Sequence, residues 1–179
     1  MKLTALATAV AVALPLAAAS AARADAISAT LEAGYTRTQF EDIHPDYAFN
    51  TVQIRGGVQL NTYWGAEMEA NFGTGSDRVN QSGFTFRFKQ NWAVGTFLVG
   101  YAQLGHHIDL IGRIGYTRTQ LAAYGAGHSL STQLNAAAVG IGIRQFPGGG
   151  NNGYRFDYTR RFYQGSPEDS LGATYVHRF

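Results

Sequence analysis

The sequence predicts an all-β protein, an eight-stranded antiparallel up-and-down transmembrane β-barrel preceded by a cleaved signal peptide. The chain begins with an apolar secretion signal and contains no cysteine, which excludes disulfide scaffolds and thiolate metal sites. Eight later segments alternate between apolar and polar residues, and the last of them ends on an aromatic residue, Phe179. The connections between these segments are alternately short and long, as in membrane barrels.

The first 24 residues have the three parts of a secretory signal. Lys2 supplies a positive charge, residues 3–19 are an uncharged run made mostly of Ala, Leu and Val, and Ala22-Arg23-Ala24 offers small residues at the cleavage site. The apolar run is just short of the length that spans a bilayer, which favours a signal over an anchor helix. We therefore predict a signal peptide over 1–24 and a barrel domain over 25–179.

Period-two alternation is clearest in the second and third of the eight predicted strands. Val52 and Ile54 alternate with Gln53 and Arg55, and the next segment shows the same pattern around Glu67. Such alternation indicates a strand with one apolar and one polar face. The predicted strands cover residues 26–40, 50–60, 63–73, 84–102, 108–121, 132–146, 153–163 and 170–179.

The connections fall into two groups by length. Short turns are predicted at 61–62, 105–107 and 147–150, and longer polar connections at 41–49, 74–83, 122–131 and 164–169. An even strand count puts both termini on the short-turn side, so we expect the long connections to face the outside of the cell. The fourth strand is irregular, because its apolar side switches between 84–88 and 97–101, and a bulge or a protruding end would explain this.

Aromatic residues cluster near the predicted strand ends, which suggests two girdles around an apolar band. One girdle lies beside the short turns and the other lies toward the long connections. The residues of the two girdles are Tyr63, Trp64 and Tyr154, and Phe40, Phe72, Phe84 and Tyr116.

Charged residues occupy the interiors of the predicted strands, on the polar face. An eight-stranded barrel is just wide enough for side chains to fill, so opposite charges on that face are expected to pair in the lumen. A packed ion network is favoured over a narrow or gated ion path. The predicted lumen network comprises Arg55, Glu67, Glu69, Asp109, Arg113, Arg155 and Asp157.

The whole mature chain resembles the small outer-membrane β-barrel superfamily, and its closing half carries most of the resemblance. The resemblance rests on Ile108-Asp109-Leu110-Ile111-Gly112-Arg113-Ile114-Gly115-Tyr116, on Tyr154-Arg155-Phe156-Asp157-Tyr158-Thr159-Arg160 and on Tyr175-Val176-His177-Arg178-Phe179. The superfamily includes the transmembrane domain of outer-membrane protein A, opacity-type surface proteins and other porin-family barrels. Members usually end in an aromatic, any residue, then Phe, whereas His177 stands at the first of these positions here.

The resemblance implies a place in the bacterial outer membrane and a set of partners. These partners are outer-membrane lipid, lipopolysaccharide and the barrel-assembly machinery, which would read a signal at Tyr175 and Phe179 in the C-terminal strand. We expect a monomer without cofactors, with any extracellular ligand bound on the long connections. Without Lys2 and Arg23 of the signal, basic residues equal the 12 acidic ones, and no nucleic-acid motif is present, so nucleic acid is not an expected partner.

The resemblance does not imply one activity, because small barrels serve several functions. We predict a non-enzymatic barrel with a structural or surface-interaction role. A narrow porin-like channel is the main alternative, and a secreted lipocalin-like binder and a lipid A-modifying enzyme are the others. No catalytic, cofactor or metal residues are predicted: His128 and Ser129 are adjacent and would point to opposite faces of a strand, and the pair His106-His107 has no third ligand at a suitable spacing.

Overall fold

The computed structural model describes residues 27–40, 48–81, 84–125, 128–164 and 166–179. The predicted signal peptide lies outside the described residues, so the domain boundary at 24 stays a prediction. The described segments form nine strands and one 3₁₀ turn at Pro147–Gly149. The strands are β1 (Ser28–Phe40), β2 (Ala48–Gln59), β3 (Trp64–Gly73), β4 (Asp77–Gln81), β5 (Phe84–Gly105), β6 (Ile108–Gly125), β7 (His128–Gln145), β8 (Asn152–Phe162) and β9 (Pro167–Arg178).

All neighbouring strands pair antiparallel, and the sheet closes on itself where β1 pairs with β9. The short strand β4 extends the line of β3, because both pair with β5, so the barrel is eight-stranded as predicted. Following the paired residues from Phe40 once around the barrel leads back to β1 at Thr30. This offset of ten residues implies a strand tilt of roughly 40°.

Alternate residues of each strand face opposite sides of the barrel wall. On β2, Gln53 and Arg55 are buried in the lumen, whereas Val52 and Ile54 are nearly half exposed on the outside. The outside therefore carries an apolar band, which is the arrangement a lipid environment favours. Its larger members include Leu31, Tyr35, Met68, Phe72, Leu98, Ile114, Tyr116, Ile141, Ile143, Phe156 and Leu171.

Where the structure describes the long connections predicted from the sequence, most of their residues are in strands, so the prediction of loops there was wrong. β6 continues to Gly125 and β7 begins at His128, so 122–131 is a long hairpin and not a loop. Similarly, 77–81 forms β4, and β9 already begins at Pro167. Polar residues pair well in these strands because they stand beyond the apolar band, where alternation with apolar residues is no longer needed. The connection at 41–47 lies outside the described residues.

The irregular strand β5 contains a register shift between Gln90 and Trp92. A bulge adds one residue, which moves every later side chain to the other face. As a result Phe88 and Phe97 both point inward. In a strand without a bulge they would face opposite sides, because their residue numbers differ by an odd number. The bulge is one of the two explanations that the sequence left open. Phe97, Val99 and Tyr101 line the lumen and not the outer band.

Five of the seven residues assigned to aromatic girdles have exposed side chains. Phe40 is an exception, because it is buried inside the barrel at its loop-side end. The side chain of Phe84 lies outside the described part of the structure. The exposed five are Tyr63, Phe72, Trp64, Tyr116 and Tyr154. The described residues include no helix that is both long enough and apolar enough to cross a bilayer.

Candidate functional site

The inward side chains meet in a charged network at the middle of the lumen, with Arg55 at its centre. Arg55 Nη1 donates to Glu32 Oε2 at 2.7 Å, and Nη2 lies 2.9 Å from Asp157 Oδ1 and 3.3 Å from Glu69 Oε2. Glu67 is slightly further away, with Oε2 at 3.8 Å from Arg55 Nε. One guanidinium on β2 thus joins carboxylates from β1, β3 and β8.

Arg155 and Arg113 connect the same carboxylates from the other side of the lumen. Arg155 binds Glu67 with two parallel bonds, Nη1 to Oε1 at 2.6 Å and Nη2 to Oε2 at 3.2 Å. Arg113 Nη1 lies 2.6 Å from Glu69 Oε2, and Nη2 lies 3.1 Å from Asp157 Oδ1. The planar fork of arginine permits such shared and bidentate pairing.

Arg161 extends the network toward the loop side. Its Nη2 lies 3.0 Å from Glu69 Oε1, and its Nη1 donates to Glu168. We call this set of side chains the lumen network. Its members are Glu32, Arg55, Glu67, Glu69, Arg113, Arg155, Asp157, Arg161 and Glu168.

Six of the seven charged residues predicted for the lumen belong to this network, and the seventh does not. Asp109 lies nearer the turn side, where Oδ2 accepts from Arg144 Nη2 at 2.8 Å. Arg144 also donates to Gln59 and lies over the rings of Tyr101 and Phe146, at 4.8 and 5.1 Å from their centroids. This layer closes the lumen at its turn-side end.

An aromatic cluster closes the opposite end of the lumen. The ring centroids of Phe40 and Phe49 are 6.1 Å apart, and Tyr163 packs on Phe40 at 5.9 Å. The Tyr163 hydroxyl and Thr119 Oγ1 share a hydrogen bond of 2.7 Å. The network is therefore covered by apolar rings on the loop side.

A cluster of buried apolar side chains lines one wall of the lumen beside the network. Phe97 lies under Arg113, whose guanidinium carbon is 4.3 Å from the ring centroid. The ring covers two glycines: a Cβ at Gly95 would lie 2.8 Å from Phe97 Cε2, and one at Gly115 would lie 2.6 Å from Cδ1. Glycine at these two positions gives the aromatic ring room inside a narrow barrel.

Sequence reasoning missed four of the buried charged residues of the lumen, and most of them had a usable signal. Glu32 alternates with Leu31 and Ala33, and Arg144 alternates with Ile141 and Ile143, so period two places both inward. The inward position of Arg161 is predicted when the alternation of β8 is continued to the end of the strand. Glu168 had no such signal, because it fell in a predicted loop. The missed residues are Glu32, Arg144, Arg161 and Glu168.

The two residues proposed as an assembly signal lie at the seam of the barrel. Tyr175 faces outward and packs edge-on against Tyr154, with ring centroids 5.9 Å apart. The Phe179 ring is exposed and lies 4.7 Å from His177. The role of this pair in assembly stays a prediction.

The described residues hold no cluster of three or more His, Asp or Glu side chains that could hold a metal ion. His106 and His107 occupy the turn between β5 and β6, with ring centroids 6.3 Å apart. The chemistry of the lumen is thus ion pairing between arginines and carboxylates.

A closed eight-stranded barrel with an apolar outer band and a filled, charged lumen is the architecture of a small outer-membrane β-barrel protein. The chain belongs to the family described as outer membrane protein beta-barrel domain, whose model matches residues 5–179. Its place in the bacterial outer membrane follows from that family. No curated protein matches the chain.

Several solved barrels have a similar fold at low sequence identity. Ail, the attachment invasion locus protein of Yersinia pestis, solved with the heparin analogue sucrose octasulfate, is 15% identical with a TM-score of 0.66, and the match covers 86% of this chain and 99% of Ail. The N-terminal barrel of Pseudomonas aeruginosa OprF is 10% identical with a TM-score of 0.63, covering 85% and 97%. Neisserial surface protein A is 9% identical with a TM-score of 0.59, covering 86% and 97%.

Proposed function

We propose that this protein is a non-enzymatic, non-conducting outer-membrane barrel whose filled lumen makes a rigid support for surface elements. One observation carries the proposal: every charged member of the lumen network is at most 7% exposed and paired with an opposite charge. The Arg144 layer and the Phe40 cluster close the two ends. A channel would need a wetted path through these layers.

The β6–β7 hairpin is the surface element that the structure describes best. β7 pairs with β6 along its whole length, whereas only its second half, residues 137–145, pairs with β8. Residues 128–136 therefore extend past β8, and Leu130 is 76% exposed near the tip. The complex of Ail with a heparin analogue is a precedent for a ligand on a barrel of this fold. We infer that surface interactions of this chain involve the hairpin.

The proposal predicts that the wild-type protein gives no sustained conductance in a planar bilayer. The reason is that passage of an ion would require separation of several buried ion pairs at once. The measurement is a single-molecule recording on protein shown to be folded by its β-type circular dichroism. A steady open level in most recordings would favour the porin-like alternative.

The proposed topology predicts the pattern of proteolysis on intact cells. Added protease is expected to cut in the connections at 41–47 and 126–127, because the strands that flank them end on the loop side. The turns at 61–62 and 106–107 should be spared until the outer membrane is permeabilised. Cleavage mapped by mass spectrometry would show the reverse pattern if the short turns faced outward.

A further inference from the structure

A shallow furrow of about 560 Å³ crosses the outer surface of the barrel from β1 to β6. One wall is a row of paired outward residues that begins at Arg37 and continues through Leu171, Tyr158 and Ile141. These residues stand side by side on β1, β9, β8 and β7. A row along the hydrogen-bonding direction forms a continuous ridge on the surface.

The other wall is the next outward row on the turn side of the first. It runs from Tyr35 through Ala173 and Phe156 to Ile143. The ridge is lowest at Ala173, whose small side chain stands between two aromatic neighbours. The backbone at Gly172 and Gly142 contributes to the floor between the ridges.

The furrow descends from the loop side to the turn side. Arg37 lies near the loop-side end of β1, whereas Leu110, at the other end of the furrow, lies near the turn at 106–107. The furrow crosses four strand spacings, so it is roughly 19 Å long. Because the strands tilt by roughly 40°, the furrow slopes into the membrane as it crosses them.

The loop-side end of the furrow carries an available positive charge. Arg37 is exposed and forms no ion pair with any described residue. The nearby carboxylate of Asp169 is already engaged, because Arg160 Nη1 lies 3.4 Å from it and the Tyr158 hydroxyl donates to it. Among the described residues, therefore, none competes with an anion at the membrane surface for Arg37.

We propose that this furrow is a binding site for lipopolysaccharide, with one acyl chain in the furrow and a lipid phosphate on Arg37. The apolar walls suit an acyl chain, and arginine binds phosphate oxygens through charge-assisted hydrogen bonds. The site rests on the proposed topology, which puts the loop side of the barrel in the outer leaflet. It deepens the proposed function, because it fixes the surface hairpin relative to the surrounding lipid.

The test uses the full mature protein folded in neutral detergent micelles. Purified lipopolysaccharide is titrated, and its apparent affinity is obtained from the rise in the thermal unfolding midpoint. Arg37→Gln is expected to weaken that affinity roughly tenfold, because the loss of one charge-assisted hydrogen bond changes a dissociation constant by about that factor. Ala173→Leu is expected to weaken it as well, because the larger side chain fills the furrow.

Two matched variants separate the furrow from general effects of charge and size. Arg118→Gln removes another exposed arginine, on β6, and Ala66→Leu enlarges another exposed alanine, on β3; neither residue lines the furrow. Both variants should bind as the wild type does. Equal losses in Arg37→Gln and Arg118→Gln would mean diffuse charge attraction and would overturn the site.

Two further outcomes also overturn the proposal. An equal response to phosphatidylglycerol vesicles would indicate a general anionic-lipid surface, and an unresponsive wild-type midpoint would exclude the site. In both cases the folded barrel without added lipid would still migrate differently before and after boiling, which leaves the proposed function intact. Failure of that gel shift, or an inverted proteolysis pattern, would instead contradict the proposed function itself.

Discussion

Replacement of Arg55 by methionine is expected to lower the free energy of unfolding by about 3–5 kcal/mol. Arg55 is fully buried, and its guanidinium lies within 3.3 Å of Glu32, Glu69 and Asp157. Removing it leaves carboxylates that face each other across a narrow lumen with less positive charge between them. The measurement is equilibrium unfolding in urea from lipid vesicles, followed by intrinsic tryptophan fluorescence.

Arg160→Met provides the control for this prediction. Arg160 lies on the outer surface, its side chain is 32% exposed, and it pairs with Asp169 at 3.4 Å. Exposed pairs contribute about 0–1 kcal/mol, so this variant should remain close to the wild type. Equal losses of stability in the two variants would show that burial of the lumen network is not the cause.

Phe97→Ala is expected to cost about 3–5 kcal/mol, as for other large-to-small changes of a buried aromatic residue. The substitution removes the ring beneath Arg113 and uncovers Gly95 and Gly115, so a cavity remains beside the lumen network. The cavity is flanked by charged groups, and water entering it could weaken the barrier to ions. We therefore expect brief conductance events in planar bilayers as well as a lower unfolding midpoint.

The neighbouring residue gives a matched comparison. Leu98 points to the opposite side and is 53% exposed on the outer band. Lipid chains can occupy the space left by Leu98→Ala, since they are as apolar as leucine itself. Its cost should be much smaller than that of Phe97→Ala. The inward facing of Phe97 would be wrong if Leu98→Ala were the more damaging change.

The architecture was predictable because alternation is a direct consequence of strand geometry. From Thr51 onward in β2, and throughout β3, every inward residue is polar, charged or glycine and every outward one is apolar or glycine, so these strands and the turn between them were found from the sequence. The same alternation placed Arg55, Glu67 and Glu69 on the polar face, and the interpretation as a membrane barrel turned that face into the lumen. Period two is informative wherever the two faces of a strand meet different solvents.

The facing of β5 was not predictable in the same way. Lipid outside and a filled lumen inside both accept Phe97, Val99 and Tyr101, so hydrophobicity does not tell the two sides apart. The extra residue between Gln90 and Trp92 then reverses the alternation within one strand. For Phe97 the inward position depends on two glycines beside its ring, Gly95 two residues earlier on β5 and Gly115 paired with it on β6, and that is a matter of three-dimensional fit.

Which arginine pairs with which carboxylate in the network also could not be predicted from the sequence. Arg155 and Glu67 are 88 residues apart, and the bond between them depends on the register of all the intervening strands. Asp109 shares the polar face with the other predicted residues but meets Arg144, because the tilt of the barrel sets it at a different height. Sequence alternation identifies the face of a charged residue, whereas its partner is set by the barrel offset.

The seam between β1 and β9 has a consequence for the order of events in folding. It joins Thr30 to Arg178 and Phe40 to Glu168, so residues from opposite ends of the chain must meet before the sheet can close. Pairings of such long sequence separation form slowly, and until they form, both terminal strands expose unpaired backbone groups. The newly made chain is therefore vulnerable to self-association during its passage to the membrane, and closure of the seam is the step that ends this risk.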